Sequence, residues 1–273
     1  MSPIKKVQGT ALLPALLEAG FKSTSFASSG RKGAVFPNVR VKTVDYTDVA
    51  AFTKAFDNHD AVVEAFNPAA ATHQVHTLEA VLAVGVRHII SSDFSGKTSN
   101  PSAKNIVIFN PKLAAQQRAV AESEGKLTWT VVVSGPWYDW TVGKGIFRTN
   151  KRALTITRYG SGDQNRHAFD GEALAAVLSD PENYRNRPVY FANHTVSTNQ
   201  LISVVHKLGL TEAHSMCKED TEMGFEDRLN SNAYAALATF GNSYGSDFGD
   251  KVEPGWGESE EAYVVNLLKR LFT

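Results

Sequence analysis

An α/β fold, with a parallel sheet covered by helices on both faces, is what this 273-residue sequence predicts. Three observations predict it. Apolar, β-branched runs alternate with helix-like patterns of about ten residues through the first half. Helical patterns stop at glycine, at Gly20 and Gly85. Successive strands separated by helices imply right-handed crossovers, which make neighbouring strands parallel.

The elements follow in order. Residues 4–7 (Ile-Lys-Lys-Val) read as a strand, Gln8-Gly9-Thr10 as a turn, 11–20 as an apolar helix and 21–27 as a second strand. Residues 39–44 form the next strand. Asp45-Tyr46-Thr47-Asp48 then caps a helix over 49–56. Residues 61–66 are a buried strand, 72–84 a helix and 86–92 a strand. A helix over 111–124 precedes the β-branched run 128–134, the expected central strand. The second half is less regular. Short strands at 154–157 and 189–191 accompany helices at 170–178, 198–208, 224–240 and 260–271, with a Gly/Ser/Asp-rich loop at 241–257. The strand–turn–helix–strand opening is the start of a Rossmann-like, dinucleotide-binding sheet. The layout is a Rossmann-like core over 1–150 and a smaller C-terminal substrate lobe over 151–273. In such sheets the ligand lies at the carboxyl ends of the strands.

Composition narrows the function. Lys plus Arg and Asp plus Glu are 28 each, so no basic excess argues for nucleic acid. No run approaches the roughly 20 apolar residues of a spanning helix, and the N-terminus lacks the apolar stretch of a signal peptide. The single cysteine, Cys217, forms no internal disulfide and suits a reducing compartment. The expectation is a soluble, cytoplasmic monomer or homodimer acting on a small molecule.

The first turn is unusual. A dinucleotide-binding unit carries G-x-G-x-x-G there, so that backbone can approach the pyrophosphate at the helix N-terminus. Here Gly9 alone stands where the last glycine of that loop belongs, with Thr10 after it. Losing two charge-assisted contacts costs about 100-fold or more in affinity. A plain turn glycine is the alternative reading of Gly9.

Several blocks carry a family resemblance. Residues 85–94, Gly-Val-Arg-His-Ile-Ile-Ser-Ser-Asp-Phe, look like a "GVKRFIPSEFG" block. Ile108-Phe109-Asn110-Pro111-Lys112 looks like a segment that carries a lysine. Residues 128–140, ending Ser-Gly-Pro-Trp-Tyr-Asp-Trp, look like a "TYTFVVTGPFLDW" block, and Tyr244-Gly245-Ser246-Asp247-Phe248 fits a fungal branch. In this order and spacing the chain resembles the NmrA-like and isoflavone-reductase-like proteins, which are atypical short-chain dehydrogenases. The resemblance covers nearly the whole length. It implies a reductase fold that binds NADP and acts on an aromatic, polyketide or alkaloid-type metabolite, or in the regulatory branch a dinucleotide sensor. The family lysine maps to Lys112, near the nicotinamide and substrate. The arginine that faces the 2′-phosphate maps near Ser28, with Arg31 and Lys32 a few residues later as substitutes. The arginine one turn after the lysine maps to Gln116. NADP binding is therefore expected to be weakened, absent, or dependent on Arg31 and Lys32. Loss of these contacts leaves two rivals to a reductase open: a non-redox cyclase or isomerase, and a non-enzymatic regulator.

Lys112 follows Pro111 at a helix start, where a cation is disfavoured by the helix dipole. In a dry pocket its pKa would fall and suit general acid–base work; otherwise it is a solvated surface lysine. Position 108 is isoleucine, so the Tyr–Lys pair of ordinary dehydrogenases is not available. Phe66 and Asn67 end a strand beside the cofactor's middle, and Phe94 is placed to cover the nicotinamide. Trp137, Tyr138 and Trp140, with Phe94, either wall a flat-substrate pocket or pack between sheet and lobe. His73 and His76 lie one turn apart but lack a third ligand, so no metal site is expected. His167 is either a proton donor or a loop histidine. Cys217 has no neighbour that would make it a thiolate.

Overall fold

The computed structural model describes residues 8–28, 38–66, 68–91, 93–94, 96–98, 100–101, 110–123, 125–135, 149–150, 155–159, 166–168, 172–192, 194–208, 215–218, 248–256 and 261–272. Two compact units interleave along the chain. The first comprises Met1–Asp93, Pro111–Val132 and Asp170–Val189; the second comprises Phe94–Asn110, Val133–Phe169 and Tyr190–Thr273.

In the first unit, helix α1 is Gln8–Glu18. Gly9 and Thr10, read as a turn, are thus its second and third residues, and the helix begins three residues before the predicted start. Strands β1 (Thr24–Ser28) and β2 (Arg40–Val44) pair in parallel, Phe26 against Lys42. Helix α2 (Val49–Phe56) matches its predicted span because Asp48 caps it. Asp48 Oδ1 accepts from the N–H groups of Ala50 and Ala51 at 2.8 and 3.2 Å. Strand β3 is only Ala61–Val63, shorter than the apolar run. A 3-10 turn, Pro68–His73, leads into helix α3 (Gln74–Val84), so the predicted helix start at 72 falls in that turn. Gly85 closes α3 at φ 79°, its N–H donating to Val81 O at 3.1 Å.

Strand β4 (His88–Ser91) is buried at every residue, as a strand covered on both faces must be. Helix α4 (Asn110–Glu122) and strand β5 (Thr128–Val133) follow. β3, β4 and β5 are parallel, with Ala61 opposite His88 and His88 opposite Thr128. Later come strands β6 (Thr149–Asn150), β7 (Thr155–Tyr159) and β8 (Arg166–Ala168), helices α5 (Glu172–Ser179) and α6 (Pro181–Tyr184), and strand β9 (Arg187–Tyr190). The four-stranded sheet runs β3-β4-β5-β9. The core of the first unit joins both strand sets: Phe26 lies edge-on to Phe56 at 5.5 Å, and Phe52 stacks between Tyr46 and Phe56 at 5.5 and 5.2 Å. This is the Rossmann-like α/β architecture of the sequence reading. The strand expected at residues 4–7 lies outside the described residues, as does the helix expected at 224–240.

The second unit holds β6, β7 and β8, strand β10 (His194–Val196), helix α7 (Thr198–Lys207), strand β11 (Ser215–Lys218) and helix α8 (Glu261–Phe272). β10 pairs antiparallel with β8, and β7 lies between β11 and β6. His167, for which a proton donor or a loop histidine was expected, lies within strand β8. Ser197 and Gln200 form a capping box at the start of α7. Leu201, Val204, Val205, Val264 and Leu268 are buried in this unit.

Candidate active site

Polar side chains gather in the first unit at the carboxyl ends of β3 and β4, where helices α3 and α4 begin. Lys112 and Gln116 stand four residues apart on α4 and therefore share a face. Lys112 is 5% exposed, and its Nζ donates to the main-chain oxygen of Asp93 at 2.6 Å. Gln116 Nε2 donates to Asp93 Oδ2 at 2.8 Å. Asp93 lies two residues past β4 and is buried, its N–H turned back to Ser91 O at 2.8 Å. One face of α4 thus grips both the main chain and the carboxylate of a single residue.

Burial pushes the Lys112 ammonium below the ordinary lysine range, and the Asp93 carboxylate opposes this. The start of α4 adds the positive end of a helix dipole. An amine whose charged form is disfavoured gives up its proton more readily than an exposed lysine, which suits proton transfer.

A second buried pair adjoins the first. Gln74, the first residue of α3, donates from Nε2 to Glu64 Oε2 at 2.7 Å. The Glu64 N–H donates to Ile90 O at 2.9 Å, which anchors the carboxyl just beyond β3. A small cavity lies among Glu64, Gln74, Ser91 and Gln116, closed by Ile89, Trp129 and Val131.

Of the residues singled out by sequence, Lys112 and Gln116 meet on Asp93. Phe94 is buried, with φ 35° in the left-handed region where a non-glycine residue is strained. Phe66 is buried in the core, its ring edge-on to Tyr46 at 5.3 Å. Ser28 is the last residue of β1, and Gly9 and Thr10 lie in the first turn of α1. Arg31, Lys32, Asn67, Trp137, Tyr138 and Trp140 lie outside the described residues. His76 Nδ1 donates to Tyr46 O at 2.8 Å, and the His73 ring lies edge-on to Tyr46. Among the described residues no His/Cys/Asp/Glu group could hold a metal, and no helix is long and apolar enough to cross a membrane.

Sequence reasoning missed Asp93, Glu64 and Gln74. The available signal was a carboxylate closing or interrupting an apolar strand: Glu64 within Ala61–Phe66, and Asp93 after Ile89-Ile90. The first turn of α1 has no acidic residue and includes Gly9. The N–H groups of a helix N-terminus suit an anionic diphosphate, and no acidic residue in this turn opposes one.

A family model described as NAD(P)H-binding matches residues 7–166. The oxidoreductase aprR of Aspergillus flavus is 27% identical over 201 residues, covering 70% of this chain and 67% of that protein. Structurally, AtPrR2 with NADP+ and (+)pinoresinol superposes with a TM-score of 0.75 at 16% identity, covering 95% of each chain. The binary complex of leucoanthocyanidin reductase with NADPH from Vitis vinifera gives 0.73 at 17% identity, covering 96% of each chain. The chain belongs to the NAD(P)H-binding family, and its fold is that of the isoflavone-reductase-like structures.

Proposed function

We propose that the protein is an NADPH-dependent oxidoreductase that reduces a small aromatic, polyketide or alkaloid-type secondary metabolite, with Lys112 handling the proton. The observation that carries this reading is the buried Lys112 amine, held on Asp93 O at 2.6 Å with its pKa lowered. The first turn of α1 would hold the diphosphate, and Arg31 and Lys32 the 2′-phosphate. NADPH, when bound, supplies a hydride. Lys112 delivers the matching proton to the substrate, or withdraws one, from an orientation fixed by Asp93. Phe94, Trp137, Tyr138 and Trp140 would shape an apolar pocket that excludes water. The oxidoreductase aprR supports the reaction class, the (+)pinoresinol complex of one structural relative supports an aromatic substrate, and the NADP+ and NADPH complexes support the cofactor form.

The test is NADPH oxidation against a panel of aromatic ketones, imines and enones, with products identified by mass. Wild type should consume NADPH in proportion to product. Lys112→Met should keep NADPH affinity within a few-fold and lose about 10²–10⁴-fold in turnover. Product formation by cofactor-stripped protein would contradict the reading and point to a cyclase or isomerase.

A further inference from the structure

We propose that the cavity between α3 and α4 holds one ordered water joining the Glu64–Gln74 pair to Gln116, and that Gln74 and Gln116 are thereby positioning residues for Lys112. The cavity has room for about one water. Its polar wall is Glu64, Gln74, Ser91 and Gln116, enough partners for the two to four hydrogen bonds a buried water makes. Gln74 is 2% exposed, and its Oε1 accepts no hydrogen bond among the described residues. A buried acceptor left dry is costly, whereas a water donating to Gln74 Oε1 removes that cost. Gln116 lines the same cavity while its Nε2 holds Asp93 Oδ2. Asp93 in turn offers its main-chain oxygen to Lys112 Nζ. Contact is therefore continuous from Glu64 and Gln74, through the water and Gln116, to Asp93 and Lys112.

The proton role of Lys112 rests on the function proposed above; the water and the positioning do not. The test has two arms. A crystal structure of the full chain, at a resolution that shows ordered solvent, should place a water within hydrogen-bond distance of Gln74 Oε1. A dry cavity overturns the proposal. In protein labelled with 15N-lysine, the Lys112 Nζ signal is identified by its loss in Lys112→Met. Gln116→Leu and Gln74→Leu should each move that signal and its titration midpoint, and Ala115→Val, which narrows the cavity without removing a polar group, should move them in part. Urea unfolding establishes that each variant is folded, and the crystallographic arm stands if one is not. A Lys112 titration unchanged in every folded variant overturns the positioning role. Neither arm uses substrate or cofactor, so a failure of NADPH turnover leaves this result standing.

Discussion

Acid should unfold this protein through His88. The side chain sits inside β4, 4% exposed, with Nδ1 2.8 Å from Thr128 Oγ1 and Nε2 3.2 Å from Thr130 Oγ1. The Thr128 hydroxyl donates to Arg87 O at 2.9 Å, so it accepts from Nδ1–H. Nε2 faces the Thr130 hydroxyl at 3.2 Å, whose single hydrogen is directed to Tyr184 O at 2.9 Å. No carboxylate is among these partners, and burial favours the neutral imidazole, lowering its pKa from 6.5 to about 4. In the unfolded chain His88 takes its proton near the ordinary value; in the fold it resists until about 4. Between those values the unfolded state binds more protons, so stability falls as pH drops from 6.5 to about 4. The full loss is about 3 kcal/mol, an upper bound for a residue near a strand end. Urea midpoints followed by tryptophan fluorescence, from about pH 7 down to about pH 4, should show this decline in wild type. His88→Gln keeps hydrogen bonding but cannot titrate, so its decline over the same window should be shallower by about that amount. Parallel profiles for the two proteins would refute the reasoning. The outcome bears on the site, because β4 delivers Asp93.

Two further substitutions test the local arguments. Gly85→Ala puts a methyl group into open space but at φ 79°, so the cost is backbone strain alone, about 1 kcal/mol by urea denaturation. Ser197→Ala removes the hydroxyl that accepts from Gln200 N–H at 3.2 Å and should cost about 1 kcal/mol, read the same way.

The parts of the fold legible in the sequence are those set by local chemistry. Asp48 and Gly85 fixed the ends of α2 and α3, because a cap acceptor and a left-handed glycine act within one turn. β4 and β5 were visible through their β-branched apolar runs, Ile89-Ile90 and Val131-Val132-Val133, which suit a sheet covered on both faces. The two-residue β6 and the short β8, β10 and β11 were not visible. They lack alternation and exist through pairing with distant partners, such as Thr195 against His167. Lys112 stood out through its match to the family's lysine segment and its place after Pro111 at a helix start. Its burial and its hold on Asp93 were not legible, since they depend on α4 lying against the end of β4. The Glu64–Gln74 pair was missed for the same reason: ten residues of sequence separate partners that only the packing of α3 brings to 2.7 Å.

The central claim is that a dinucleotide binds here with Gly9 as the one glycine at the start of α1. Calorimetric titration of the purified chain with NADPH and with NADH tests it most directly. Saturable one-to-one binding of NADPH is predicted, tighter than that of NADH and weakened when Arg31 and Lys32 are replaced by alanine. No binding heat from either nucleotide at millimolar concentration would contradict it.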